Sequence, residues 1–400
     1  MVCRILACKD KAGLASLLGM ITPEYWDYVY DFLYSYNLCP LFYSIVKQND
    51  LNVPSEIVSK LQQKYIVSSS QYIKRTHELK CILSEFNKEN IDVIPLKGAY
   101  LSEKYYKNPV SRPMCDIDLL VKRDDVKKTL YTLDQLGFKS STKYNYDFYI
   151  NNRRHIPPFF SKNNTSLEVH YTIFMDDGYN LKNVKIDLDN IWSTCTETTL
   201  YGQKSFAMSI ENLILHLCIH IAGDKFQQKI LHLFDIFQII QTESINWQLL
   251  ISKSKECKVE KILYCILLSL NKLFNLKINS VVQTHLMPKE IMPKIENWLE
   301  KRLLCDLSSQ VYVKMNNFKV SSFKGKLKYL KYTIFSDYVI CSIYGVSNKT
   351  FRKHLYYFPR LYFLLKIYLN IFMRIYVLKK RKNLQEYDDD FKPIEDWLTS

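Results

Sequence analysis

Apolar side chains recur at the three- and four-residue spacing of an amphipathic helix through the first part of the chain. The repeat is longest over 54–90, where Pro54 followed by Ser55 suits the start of a helix. A shorter helical stretch covers 26–37. The pattern therefore predicts a helical N-terminal region over 1–90.

The pattern changes to short apolar runs between residues 91 and 205. Residues 91–96 and 116–121 have the length of buried strands, and 123–138 has the pattern of an amphipathic helix that Gly137 closes. Further strand candidates are 155–161, 165–174, 184–188 and 198–202. Helices interleaved with strands predict an α/β or α+β layer.

Helical spacing returns in the remainder of the chain and predicts a C-terminal helical domain over 206–385, followed by an acidic tail, 386–400. The clearest helical stretches are 211–223, 229–242, 246–256 and 261–274.

One stretch of that domain, 360–378, has the length and apolar content of a membrane span. However, Lys366, Asn370 and Arg374 recur every four residues and form a polar stripe that a bilayer would make costly. We therefore expect a packed or interfacial helix and no transmembrane segment.

Composition narrows the class of protein. Apolar residues make up 48% of the chain, which is enough to bury substantial cores. The eleven cysteines form no C-x-x-C pair, as expected for reduced thiols in a cytoplasmic protein. The first residues lack the apolar core of a signal peptide. These features predict a cytoplasmic location.

The net charge of +15 is unevenly distributed. Nearly all of the excess lies in the segment 321–382, whose single acidic residue is Asp337 and which is rich in aromatic side chains. Such a segment could bind RNA through phosphates and base stacking, or contact an anionic membrane surface. It could also contact an acidic partner or form a solvated face around an aromatic core, and the sequence leaves these alternatives open.

Two carboxylates lie two positions apart in the predicted strand 116–121. Residues i and i+2 of a strand point to the same face, so Asp116 and Asp118 are expected to project side by side. Adjacent carboxylates repel one another unless a cation lies between them, and Mg²⁺ prefers oxygen ligands. The pair is therefore a candidate magnesium site. A second D-x-D, Asp187 and Asp189, is interpreted as a solvated strand or turn feature.

The residues around the first pair suit metal-assisted handling of a triphosphate. Lys97 and Arg112 supply positive charge, and Gly98 can let the backbone approach a phosphate. Glu168 is a candidate third carboxylate in the middle of a predicted strand, and His170 shares its face. The alternative for Glu168 is the exposed face of an edge strand.

Histidines of the predicted C-terminal helices form a second candidate group. His216 and His220 are four residues apart on one helix, and His232 and Asp235 follow on the next. A helical histidine pair can bind zinc, but this H-x-x-x-H lacks the glutamate of H-E-x-x-H. Apolar neighbours favour core histidines with satisfied hydrogen bonds, and the sequence leaves both interpretations open.

Several motifs in this order resemble the uncharacterised nucleotidyltransferase family of the polymerase-β-like superfamily. They are L-K-G-x-x-L at 96–101, R-x-x-x-D-I-D-L-L-V at 112–121, L-E-V-H-Y at 167–171, H-L-x-x-H at 216–220 and the D-I pair at 235–236. The resemblance extends from about residue 26 to about residue 240. It implies an α+β fold, in which a mixed sheet flanked by helices is followed by a helical domain.

The resemblance also implies roles for individual residues. Asp116 and Asp118 would bind the metal, Glu168 would be the third acid of the metal site, and Lys97 and Arg112 would neutralise phosphates. In place of the Gly-Ser or Gly-Gly of the wider superfamily, this chain has Lys-Gly-Ala in the phosphate turn.

The resemblance assigns four more residues to the nucleotide site. Gly98 and His170 would lie close to the phosphates, and His220 and Asp235 would lie near the nucleotide cleft.

The implied reaction is transfer of a nucleoside monophosphate from a nucleoside triphosphate to a hydroxyl acceptor, with release of pyrophosphate and with two Mg²⁺ ions as cofactors. The sequence does not identify the acceptor. Two other classes of function remain as alternatives: an inactive nucleotide-binding or regulatory module, and a nucleic-acid-binding protein that acts through 321–382.

Overall fold

The computed structural model describes residues 1–140, 146–152, 155–174, 181, 184–224, 226, 229–288, 292–304, 355–362, 394 and 397. Its helices are α1 Val2–Ala7, α2 Lys11–Gly19, α3 Trp26–Ser35, α4 Cys39–Gln48, α5 Ser55–Lys88, α6 Lys97–Tyr105, α7 Val126–Gln135, α8 Tyr146–Asn152, α9 Leu188–Thr194, α10 Ile210–Gly223, α11 Ile230–Thr242, α12 Trp247–Glu256, α13 Glu260–Phe274, α14 Ser280–Leu286 and α15 Met292–Leu303. Its strands are β1 Val93–Leu96, β2 Ile117–Val121, β3 Lys139–Ser140, β4 Phe159–Phe160, β5 Ser166–His170, β6 Thr196–Leu200 and β7 Gln203–Ala207.

The N-terminal helices pack as the apolar spacing predicts. The long helix α5 packs against α3 and α4, and it buries Leu61, Leu79, Ile82 and Phe86 completely. Leu79, Ile82 and Phe86 recur at three- and four-residue spacing along one face, whereas Ile66, Val67 and Ile73 of the same helix are exposed.

A five-stranded sheet in the order β1-β2-β5-β4-β3 forms the centre of the molecule. Strand β2 pairs with β1 antiparallel and with β5 parallel, which confirms the α+β class and the mixed sheet. All five residues of β2 are buried, as expected for an internal strand covered on both faces. Strand β5 is also internal, which excludes the alternative that Glu168 lies on an edge strand.

The helices after residue 206 form a second layer of apolar packing. Helix α10 is buried over most of its length and packs against α11, α12 and α13. Helix α11 also packs against α6. This contact brings a helix of the C-terminal region onto the helix that follows β1.

Four strand predictions need correction. Of 165–174, only Ser166–His170 is a strand. Residues 184–187 are not a strand, because Asp187 instead begins α9 by accepting a hydrogen bond from the Asn190 backbone N–H at 2.9 Å. Of 155–161, only Phe159–Phe160 is a strand, and His155 forms an isolated bridge to His170. Of 198–202, the last two residues are instead the turn of the β6–β7 hairpin.

The basic segment 321–382 lies outside the described residues except for 355–362, and so does most of the stretch 360–378 and of the acidic tail. Their predicted roles therefore stay predictions. In the part of the chain that the structure describes, no helix has the length and apolar content needed to cross a bilayer.

Candidate active site

Strand register brings the predicted acidic residues together. Asp118 in β2 lies opposite Glu168 in β5 and opposite Leu96, the last residue of β1. The chain turns sharply after Leu96, and Lys97 begins α6 with a φ of +44°. A left-handed conformation costs a residue other than glycine about 1–3 kcal/mol and is concentrated at functional sites. Register and turn together place Lys97, Asp118 and Glu168 at one point of the sheet.

Asp118 is the centre of the polar contacts. Its side chain is 2% exposed, and Lys97 Nζ lies 3.1 Å from its Oδ2. His170 Nε2 lies 2.8 Å from Asp118 Oδ1 and 3.4 Å from Glu168 Oε2. One ligand atom each from Asp118, Glu168 and His170 lies within 4.8 Å of the others. The three side chains therefore converge as the ligands of a metal ion do.

The electrostatics keep two of the carboxylates ionised. Burial alone would raise the pKa of Asp118, but the charges of Lys97 and His170 outweigh burial and hold that pKa well below its usual range. Burial also opposes ionisation of Glu168, but the hydrogen bond to His170 and the charge of His155 lower its pKa. Both carboxylates are therefore ionised at neutral pH, with cationic groups beside them.

Asp116 has a different environment from Asp118. It precedes the first residue of β2, is half-buried and lies outside the group of three converging ligands. Burial and the charge of Asp118 raise its pKa. A cation placed between the two carboxylates would relieve this repulsion, so Asp116 stays a candidate ligand.

His155 is part of the site but was not singled out by the sequence. Its Nε2 lies 3.8 Å from Glu168 Oε2, and its ring centroid lies 5.0 Å from that of His170. Its Nδ1 lies 2.8 Å from the Ile156 carbonyl oxygen. A single backbone bridge to His170 brings His155 into the site. No periodic pattern in the sequence predicts such an isolated bridge.

Arg112 and Asp235 form a buried ion pair. Arg112 donates from Nε to Asp235 Oδ1 at 3.1 Å and from Nη2 to Oδ2 at 2.7 Å. Tyr106 donates its hydroxyl to Asp235 Oδ1 at 2.7 Å. Asp235 is fully buried and Arg112 is 5% exposed. The ion pair thus holds α11 against the segment that leads into β2. The sequence analysis predicted Arg112 at the phosphates and Asp235 near the nucleotide cleft.

Gly98 is close to the guanidinium group of Arg112. A Cβ atom at Gly98 would lie 2.6 Å from Arg112 Nη1 and 3.0 Å from Met114 Cγ. Since real Cβ atoms are not found so close to a neighbour, a side chain at this position would displace the ion pair. The absence of a side chain therefore serves the packing of Arg112.

Replacement of Gly98 by alanine is expected to lower the free energy of unfolding by about 1–3 kcal/mol, the usual cost of overpacking a tight core. Equilibrium urea unfolding measures this. Gly19→Ala is the matched control, because a Cβ there meets nothing within 4 Å, and it should leave stability unchanged or slightly raised. Equal stability of the two variants would contradict the packing role of Gly98.

The remaining histidines lie on α10 and α11. The ring centroids of His220 and His232 are 5.1 Å apart. Burial, followed by nearby positive charge that includes Lys97, lowers the pKa of His220, and burial and Lys229 lower that of His232. Both rings are therefore neutral at neutral pH. His216 is 3% exposed among apolar neighbours, a core position. Among the described residues, these histidines form no group of three metal ligands.

The solved structures that match this chain include two distant likenesses. A lincosamide antibiotic adenylyltransferase, LnuA, with lincomycin bound is 19% identical, with a TM-score of 0.29, over 42% of this chain and 97% of that chain. An antigenic nucleotidyltransferase-like protein from Paracoccidioides brasiliensis is 16% identical, with a TM-score of 0.33, over 53% of this chain and 96% of that chain. These values are too low to bear on function. No curated protein matches the sequence.

The family comparison is more specific. A family described as uncharacterised nucleotidyltransferase matches residues 22–275, which is more than half of the chain and contains the sheet, the converging acidic residues and the Arg112–Asp235 pair. The chain therefore belongs to this family of uncharacterised nucleotidyltransferases.

Proposed function

We propose that the protein is a metal-dependent enzyme that transfers a nucleoside monophosphate from a nucleoside triphosphate to a hydroxyl acceptor and releases pyrophosphate. The observation that carries this proposal is the convergence of Asp118, Glu168 and His170 within 4.8 Å, beside the Lys97 ammonium group. Membership of the family supports the reaction class.

The residues present fit a divalent cation. Asp118 and Glu168 offer carboxylate oxygens, Asp116 offers a third carboxylate nearby, and the buried position of Asp118 excludes competing water. When bound, such an ion, with Mg²⁺ as the first candidate, would act as a Lewis acid on phosphate oxygens.

In the proposed reaction the acceptor oxygen forms a bond to the α-phosphorus of the triphosphate. The bond between that phosphorus and the oxygen bridging to the β-phosphate breaks, and pyrophosphate leaves with the electron pair. Glu168, which is ionised and the more exposed of the two carboxylates facing His170, accepts the proton of the acceptor hydroxyl. Lys97 offsets negative charge on the phosphates.

Arg112 has a supporting part in this proposal. Both of its distal nitrogens are engaged, Nη2 by Asp235 and Nη1 by the Pro113 carbonyl oxygen. Its charge therefore acts on the site from a distance, and its bonds fix the backbone that leads into β2.

A thermal titration with each nucleoside triphosphate, with and without Mg²⁺, tests the proposal. The preferred triphosphate at about 100 times its Kd should stabilise the native protein by about 2.7 kcal/mol. We expect this stabilisation to require a divalent ion, supplied as Mg²⁺ or in a parallel titration as Mn²⁺, and to be lost in the double variant Asp116→Asn/Asp118→Asn.

The second D-x-D supplies the matched control. Asp187→Asn/Asp189→Asn makes the same chemical change at an exposed helix start, and asparagine caps a helix as well as aspartate does. This variant should keep the full stabilisation. Nucleotide binding that survives in the Asp116/Asp118 variant, or a wild-type protein that no triphosphate stabilises, would contradict the proposal.

A further inference from the structure

We propose that the imidazole of His170 is itself a ligand of the metal, so that the site selects a first-row transition ion such as Mn²⁺ over Mg²⁺. This inference rests on the proposed function for the identity of the site. It goes beyond that proposal by naming a nitrogen ligand and the class of metal.

The position of His170 Nε2 is the first argument. Two ligand atoms bound to one ion at about 2.1 Å are about 3.0–3.4 Å apart when their angle at the metal is between octahedral and tetrahedral. His170 Nε2 lies 2.8 Å from Asp118 Oδ1 and 3.4 Å from Glu168 Oε2. The distance to Glu168 is within this range, and the distance to Asp118 is that of a hydrogen bond, slightly shorter than the range. A small separation of the nitrogen from Asp118 would therefore give it the spacing of a third ligand.

The surroundings of His170 fix this orientation. Its side chain is 4% exposed, its backbone pairs with β2 opposite Leu120, and the ring of His155 packs against it. A buried ring held by strand pairing and a neighbouring ring has few alternative rotamers. Little reorganisation is needed to present its nitrogen to an ion.

The chemistry of the three ligands then determines the metal. Mg²⁺ binds mainly to oxygen and keeps its waters, whereas imidazole is a ligand of divalent first-row transition ions. Affinity in that series rises from Mn²⁺ to the later ions, so Mn²⁺ is its weakest-binding member and serves here as the paramagnetic probe. In the absence of metal, the short contact between Nε2 and Asp118 requires a proton on that nitrogen. Binding of the ion displaces this proton from Nε2 and replaces the hydrogen bond by a bond to metal.

Electron spin-echo envelope modulation of Mn²⁺ bound to the nucleotide-free protein tests the inference directly. A coordinated imidazole gives ¹⁴N modulation from its remote ring nitrogen. We expect this modulation in the wild-type protein and its loss in His170→Gln. We also expect the Mn²⁺ dissociation constant to rise about 10- to 100-fold in that variant, and the Mg²⁺ constant, measured by competition, to rise about threefold or less.

His155→Gln is the matched control, because His155 also contacts Glu168 but lies farther from it, at 3.8 Å. This variant should keep the ¹⁴N modulation. Circular dichroism establishes whether each variant folds. If a variant does not fold, the spin-echo spectrum of the wild-type protein still decides whether the metal has a nitrogen ligand.

Three results would overturn the inference: wild-type Mn²⁺ without ¹⁴N modulation, modulation that persists in folded His170→Gln, or no Mn²⁺ binding. The readout needs no nucleotide and no turnover. A nitrogen-ligated Mn²⁺ in a protein that binds no triphosphate would therefore refute the proposed function and leave the metal site standing.

Discussion

Replacement of Asp235 by alanine is expected to lower the free energy of unfolding by about 3–5 kcal/mol, the usual cost of breaking a buried ion pair by removing one partner. Asp235 is fully buried, accepts from two nitrogens of Arg112, and accepts from the Tyr106 hydroxyl. The variant leaves the Arg112 guanidinium charged and without its carboxylate in a site that water does not reach.

Urea unfolding of three variants measures this effect. Asp134→Ala is the control, since it removes a carboxylate from an exposed pair with Lys139 and should cost less than about 1 kcal/mol. The double variant Arg112→Met/Asp235→Leu should recover much of the loss, because apolar side chains of similar size need no partner. The same small cost for Asp235→Ala and Asp134→Ala would contradict a structural ion pair.

Replacement of Asp118 by asparagine is expected to reduce pyrophosphate release at least about 1,000-fold, equal to about 4 kcal/mol of transition-state stabilisation. Asparagine keeps the size of the side chain but removes the negative charge that attracts both the Lys97 ammonium group and a bound cation. Loss of this charge also leaves the Lys97 ammonium group without its carboxylate at 3.1 Å.

A coupled pyrophosphate assay with the triphosphate found by thermal titration measures this loss. Asp187→Asn, at the start of α9, is the control and should retain the wild-type rate. Unfolding of Asp118→Asn in urea separates lost chemistry from lost folding. A folded Asp118→Asn protein that releases pyrophosphate at more than a tenth of the wild-type rate would refute the central role of this carboxylate.

Local patterns predicted the helices and the principal strands. The helical spacing over 54–90 predicted α5, and the run at 116–121 predicted a buried strand, which the structure has at Ile117–Val121. Strand alternation placed Glu168 and His170 on one face of β5, and in the structure both lie beside Asp118, with one ligand atom of each of the three residues within 4.8 Å of the others. These features follow from apolar residues that recur every two residues in a strand or every 3.6 residues in a helix, a pattern that can be read directly from a sequence.

The sequence did not predict features that depend on contacts between residues far apart along the chain. Arg112 and Asp235 are separated by 123 positions, and only the packing of α11 on α6 brings them together. Gly98 has no room for a side chain because the Arg112 guanidinium group of that pair lies against it. The sequence around Gly98 therefore does not show why a glycine is needed there. The expectations that Arg112 and Gly98 lie at the phosphates and that Asp235 lies near the nucleotide cleft stay predictions, and the ion pair gives these residues a structural role.

Irregular backbone was the other source of error. Residues 184–187 alternate like a strand, but the capping ability of Asp187 ends the extended segment and begins a helix. His155 joins the site through one bridge to His170, which involves no run of residues long enough to leave a periodic signal. The predicted strand 116–121 begins one residue later, at Ile117, and the charge of Asp118 still acts on Asp116 and raises its pKa.

Phosphorus-31 NMR of a nucleoside triphosphate incubated with the protein, a divalent ion and an excess of simple alcohols tests the central claim most directly, because it identifies which phosphate bond breaks. Cleavage between the α- and β-phosphates should yield pyrophosphate together with a nucleoside monophosphate or its ester, and Asp118→Asn should yield neither. Formation of nucleoside diphosphate and orthophosphate, or an unchanged spectrum with all triphosphates and both Mg²⁺ and Mn²⁺, would contradict nucleotidyl transfer at this site.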